Sequence, residues 1–137
     1  MALFLLGDRG SRGQKWCKAV RVCSEFEISW IPHFMWNIDR LQDPYGFGPR
    51  MYLRNLKMRA SDYMRTRVYH GMIDDDYGPA MIPLIGADRV LWGSDFPHIR
   101  SIGLEAQEHV HRLLGALPRA DQEKVVGDSA AQVFTIA

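Results

Sequence analysis

Three short apolar runs, each followed by residues of helical period, organise most of this chain. Ala19–Ser24 (AVRVCS) is β-branched and suits a buried strand. Pro32 then stands well as a first helical residue, and Ile31, Phe34, Ile38 and Leu41 form an apolar stripe through about residue 42. Asp43–Pro49 (DPYGFGP) is turn chemistry, with two prolines and two glycines in seven residues, and a polar, basic connection follows to about Tyr63. Arg67–Ile73 (RVYHGMI) predicts a second strand. Asp74, Asp75 and Asp76 can cap a following helix whose Ala80, Met81, Leu84 and Ile85 end at Gly86, with Pro83 keeping it short or kinked. Arg89–Gly93 (RVLWG) predicts a third strand, and Ala106, Val110, Leu113, Leu114 and Leu117 share one face of the next helix. Pro118 starts another helix ending at Gly127, and a last turn runs to about Phe134.

Strands alternating with amphipathic helices imply an α/β fold whose parallel sheet is built of βα units. Three such units cannot close a barrel, and a complete (β/α)8 barrel typically needs about 250 residues. The chain has 137, so it is expected to be a piece of something larger.

Composition narrows the function classes. Seventeen basic residues stand against 16 acidic, a net charge of +1, which argues against nucleic acid or an anionic membrane as a general partner. Arg50–Arg67 holds six basic residues against the single acid Asp62, with Tyr52 and Tyr63 interleaved. In a nearly neutral chain, a solvated connection or a loop facing a carboxylated small-molecule substrate explains it better than nucleic-acid binding. Cys17 and Cys23 are too few for a disulfide framework. Met1–Leu6 is apolar but stops at Gly7-Asp8-Arg9, far short of the roughly 20 residues that cross a bilayer, so a cytoplasmic address is expected. Residues 7–18 read as an irregular segment.

In parallel α/β folds the reactive groups sit where strands run into their C-terminal loops. The first strand delivers Glu25 and Glu27, the second His70 and then Asp74–Asp76, the third Ser94, Asp95 and His98. Asp95 is the sharpest case: it follows the apolar run Val90–Trp92 and Gly93, and a carboxylate there can bind a divalent metal or take a proton from metal-bound water. Ser94 or Asp95 could equally cap a turn, but Pro97 and His98 tilt the balance towards a site. His98 suits orienting Asp95, meeting substrate, or packing beside the proline turn. His70 and His33 read more weakly, His33 as a structural or solvated group in the first turn of a helix. Trp30 and Trp92 flank strand exits, where aromatic residues are mostly core but can line a pocket. His109 and His111 lie two apart in a helical stripe, about 200° from each other, and read as surface histidines rather than a shared metal motif.

Leu91–His98 (LWGSDFPH) strongly resembles the eighth-strand motif of the amidohydrolase-related family, which includes aminocarboxymuconate-semialdehyde decarboxylase. Glu25–Arg40 (EFEISWIPHFMWNIDR) is similar to that family's sixth-strand exit and helix, and VVGDSAAQVF to its terminal helix, with Ser129 where Asn is usual. The resemblance covers about residues 19–137 and leaves 1–18 as a segment unlike the family. It implies the C-terminal part, about three βα units plus terminal helices, of a (β/α)8 barrel carrying a divalent metal, commonly zinc. The metal's ligands would be a His-x-His after the first strand, a His from a middle strand and the last-strand Asp, of which only Asp95 is present here. The family's decarboxylases place a His where Glu25 stands, which leaves hydrolysis or a related lyase step more open than decarboxylation. The resemblance thus implies Asp95 as metal ligand or base, Glu25 as a second acid/base or orienting group, and His98 and Trp30 lining the pocket. The alternative is a non-catalytic barrel fragment whose exposed strand edges promote oligomerisation or docking onto a partner.

Overall fold

The computed structural model describes residues 20–42, 56–99 and 101–136. The readings made for residues 1–18, Asp43–Pro49, and the Arg50, Tyr52 and Arg54 end of the basic stretch lie outside these segments. The β-branched runs form β1 (Arg21–Cys23), β2 (Val68–Met72) and β3 (Val90–Trp92), a parallel sheet in that spatial order. Cys23, His70 and Val90 stand opposite one another in register, and in parallel pairing such a row shares one face of the sheet. A glycine occupies position 71 because β1 comes very close there: a Cβ would meet the Ser24 Cα at 3.0 Å and the Cys23 carbonyl oxygen at 3.3 Å.

Helix α1 (Ile31–Gln42) buries Ile31, Met35 and Ile38 in the core. They join Val68, Met72, Ile82, Val90, Leu113, Leu114 and Val125 in one core, each aliphatic side chain contributing about 1.5–3 kcal/mol when fully buried. The polar connection expected up to Tyr63 is in fact partly helical. Helix α2 (Ala60–Arg67) runs directly into β2 and buries only Ala60, Ser61 and Met64. No side chain of its own caps it. Instead α1 supplies the acceptors: the Ala60 amide donates to the Gln42 side-chain oxygen at 2.8 Å, and the Ser61 amide to Asp39 at 2.9 Å. Two arginines of the basic stretch are engaged within the fold: Arg59 pairs with Asp39, and Arg65 pairs with Asp62 and donates to the Leu84 carbonyl.

Helix α3 (Gly78–Ile85) ends at Gly86, whose φ of 107° favours glycine. Its buried face is Gly78, Ile82 and Ile85, whereas Ala80 and Leu84 of the expected stripe face solvent. Gly78, Ile82 and Ile85 recur at i, i+4 and i+7, a face turned away from Ala80 and Leu84. A 3-10 turn (Ala87–Arg89) leads into β3. Helix α4 (Ala106–Leu114) follows a long loop, and α5 (Arg119–Glu123) does not stop at Gly127. A π-helical turn (Lys124–Asp128) carries it into α6 (Ser129–Phe134), burying Val125 and Ser129 under β3. Among the described residues no helix is long and apolar enough to cross a membrane.

Candidate active site

The three strands point the same way, so their C-terminal loops gather at one end of the sheet. Three non-glycine residues with left-handed backbone stand there: Glu25 (φ 63°) and Glu27 (φ 55°) after β1, and Asp95 (φ 55°) after β3. Such conformations cost roughly 1–2 kcal/mol for residues other than glycine and persist where the surroundings hold them.

Asp95 lies three residues beyond β3 with 24% of its side chain exposed, and its Oδ2 is 3.3 Å from Nδ1 of His98. The His98 amide also donates to the Asp95 carbonyl at 2.8 Å, closing the turn that brings the two side chains together. His98 is 65% exposed, free to meet a ligand from solvent. Glu25, at the other edge strand, is exposed, and its carboxylate makes no hydrogen bond or ion pair among the described residues. The structure therefore joins Asp95 to His98 and leaves Glu25 apart, with β2 between them. Trp30 is half-buried; its indole N–H donates to the Phe26 and Glu27 carbonyls, and its ring meets Phe34 edge-on at 5.4 Å.

The exit of β2 is the most densely bonded point of this end. The Glu27 carboxylate accepts from the amides of Ile73 (3.0 Å) and Asp74 (3.2 Å). The Ile73 carbonyl accepts from the Trp92 indole N–H at 3.0 Å and from Nε2 of His109 at 3.1 Å. His109 is buried, not on the surface as its sequence context implied, because its position in α4 faces the sheet alongside Leu113; His111 is exposed as expected. Arg112 donates to His109 Nδ1 at 3.2 Å, which fixes the proton on Nε2 and so makes that nitrogen the donor to Ile73. Arg112 also spans Asp74 and Asp76, which together reinforce its positive charge. Asp75 is buried and takes four amide protons: those of Ile28 and Ser29 before α1, and those of Tyr77 and Gly78 at the start of α3.

Of the remaining polar candidates, His70 is 2% exposed, and neither ring nitrogen has a hydrogen-bond partner among the described residues. Burial lowers its pKa to about 4, and the Met64 backbone carbonyl offsets only a smaller part of this without reaching hydrogen-bond geometry. His33 is exposed and shares its ring nitrogen with Asn37. Cys23 is a free thiol whose pKa is raised by burial.

These groups do not complete a metal centre. Among the described residues no cluster of three or more His, Cys, Asp or Glu side chains is placed to hold an ion, and Asp95 with His98 falls short of the three protein ligands of a catalytic site.

The sequence profile of the amidohydrolase family matches residues 46–136. The chain belongs to the amidohydrolase family. Within that match lie β2, β3, Asp95 and His98. No curated protein matches the chain. Among solved structures, an amidohydrolase from Mycobacterium avium subsp. paratuberculosis K-10 superposes with a TM-score of 0.66 at 19% identity, over 82% of this chain and 27% of its own. The 2,6-dihydroxybenzoate decarboxylase from Rhizobium superposes with a TM-score of 0.57 at 24% identity, over 77% of this chain and 32% of its own. A dihydroxybenzoic acid decarboxylase from Polaromonas sp. JS666, solved with bound manganese and the inhibitor 2-nitroresorcinol, gives 0.58 at 22% identity, over 78% and 31%. The amidohydrolase chain described here thus shares their fold over most of its own length and spans about a quarter to a third of theirs.

Proposed function

We propose that this chain carries the last three βα units and terminal helices of an amidohydrolase (β/α)8 barrel, residues 19–137, and serves a metal-dependent hydrolase or a related lyase. The observation that carries this reading is Asp95: a carboxylate in left-handed backbone at the exit of a parallel strand, held against His98 at 3.3 Å, inside the family match. In this reading Asp95 is one ligand of a divalent metal, or the base that takes a proton from the attacking water. The other ligands would come from chain outside the described residues. A divalent ion held there would lower the pKa of bound water and polarise the substrate. The zinc common in the family and the manganese of the Polaromonas structure are the two ions to assay first.

The chain's own residues have more specific parts. His98 orients Asp95 through Nδ1 and leaves the rest of its ring to substrate. Glu25, exposed at the β1 exit and unpaired among the described residues, is available as a second acid/base or as an orienting group. Trp30 walls the β1 side of the mouth, its indole N–H already spent on the loop that carries Glu27. Phe26 and Phe96, 57% and 70% exposed at the two edge-strand exits, give the mouth an apolar lining suited to a carboxylated substrate with an apolar body.

The deciding experiment measures bound divalent metal, together with hydrolysis and carbon dioxide release on 2,6-dihydroxybenzoate and simple esters or amides, in the longest expressible form of the protein and its Asp95→Asn variant. Loss of metal and turnover in the variant is the expected result; unchanged metal and turnover would sink the assignment. Release of carbon dioxide rather than hydrolysis would favour decarboxylation, the reaction named for the Rhizobium and Polaromonas neighbours. A second reading rests on the lack of a three-ligand cluster among the described residues: a non-catalytic fragment that oligomerises or docks onto a partner supplying the rest of the barrel. Metal-free, inactive preparations that elute as a stable oligomer would favour it.

A further inference from the structure

Glu25 and Asp95 stand just beyond the two edge strands, β1 and β3, which pair with β2 and not with each other. Their relative position is therefore set through β2, and at the site end β2 continues into one residue, Ile73. Its amide is held from the β1 side by the Glu27 carboxylate, and its carbonyl from the β3 side by the Trp92 indole. The second lone pair of that carbonyl takes His109 Nε2, so α4 is tied in at the same peptide. The ladder itself reaches the same point, with the Gly93 amide donating to the Met72 carbonyl at 3.1 Å. Glu27 lies two residues after Glu25, and Trp92 three before Asp95.

We propose that Glu27 and Trp92 are positioning residues that act through the Ile73 peptide and fix the β1 and β3 exits relative to each other. Both contribute through the shape of the loops and neither touches the reacting atoms. The left-handed backbone at Glu27 fits this role, since the side chain reaches across to the β2 exit and is held by the two hydrogen bonds its carboxylate accepts from backbone amides. Glu27→Gln keeps the size of the side chain but replaces one acceptor oxygen by an amide donor, so it can satisfy only one of the two amides. Trp92→Phe removes the indole donor and keeps a ring. The inference rests on Glu25 and Asp95 forming the site, but its test does not depend on activity.

The test is amide and indole hydrogen exchange with backbone chemical shifts, on the 137-residue chain. Glu27→Gln is expected to speed exchange of the Ile73 and Asp74 amides and of the Trp92 indole N–H roughly tenfold, and to move the Glu25 and Asp95 amide signals. Trp92→Phe is expected to move the Glu25 signal from the opposite side, and it supplies the answer if Glu27→Gln fails to fold. Ile38→Val, which loosens the core on α1, serves as control and should leave those signals in place. The proposal is overturned if the Asp95 and Trp92 signals stay put in Glu27→Gln while Glu25 stays put in Trp92→Phe, or if Ile38→Val moves them equally. Should the coupling hold while Asp95→Asn leaves metal and turnover unchanged, the functional reading alone has failed.

Discussion

The carboxylate of Asp75 accepts the amide proton of Ile28 at 2.9 Å, across 47 residues of sequence. With Ser29 on the same oxygen, and Tyr77 and Gly78 on the other, one buried side chain satisfies the approaches to two helices. Hydrogen bonds to a charged acceptor contribute about 1.5–3 kcal/mol each, and removing the acceptor leaves buried donors uncompensated. Asp75→Asn keeps one acceptor oxygen of two. It is expected to lower unfolding stability by about 2–4 kcal/mol, read as an earlier urea midpoint with an unchanged slope. A loss below about 0.5 kcal/mol, the range of ordinary surface changes, would show that the four bonds carry little weight.

His70 predicts a pH dependence. The folded chain holds its ring neutral down to about pH 4, whereas the unfolded chain takes up the proton near 6.5, so the unfolded state binds protons first as pH falls. Stability is complete above pH 6.5 and declines between 6.5 and 4, by about 3 kcal/mol for this residue. His70→Leu removes two unsatisfied ring nitrogens from the core and should be neutral or stabilising at pH 7. Urea melts of both proteins at pH 7, 5.5 and 4 isolate the His70 share from that of the carboxylates. Equal acid sensitivity in the two would rule it out.

The strands were legible because β-branched runs bounded by polar residues have one good solution, and Asp95 because a charge directly follows such a run. Helix α2 was not, since its buried face is only Ala60, Ser61 and Met64 and its amide acceptors, Asp39 and Gln42, lie about twenty residues upstream. Local patterns carry no trace of such long-range bonds, and the same is true of Glu27 reaching Ile73 and of Asp75 reaching Ile28. His109 is different. It falls three residues after Ala106 and four before Leu113, on the apolar stripe itself, so its burial was available from spacing once the pairing with His111 was set aside.

The two α4 histidines should accordingly part company in mutagenesis. His109→Ala removes a buried ring, a donor to Ile73 and the acceptor of Arg112, and is expected to cost about 1–3 kcal/mol. His111→Ala touches an exposed position and should stay within about 0.5 kcal/mol of the parent. Thermal or urea unfolding of the pair checks this. Equal, small effects would return His109 to the surface.

Asp95→Asn separates function from folding. The Asp95 side chain is partly exposed, and its ion-pair contact among the described residues is His98, itself mostly in solvent, so the pairing contributes little to stability. Asparagine accepts the left-handed backbone at this position as readily as aspartate does. The variant should therefore unfold within about 0.5 kcal/mol of the parent. An amide, however, can neither carry the negative charge that a metal ligand supplies nor accept a proton as a base. The functional reading requires metal content and turnover to collapse in the same variant whose melt is unchanged. If the melt collapses instead, Asp95 is holding the β3 exit together and its strained backbone serves the fold.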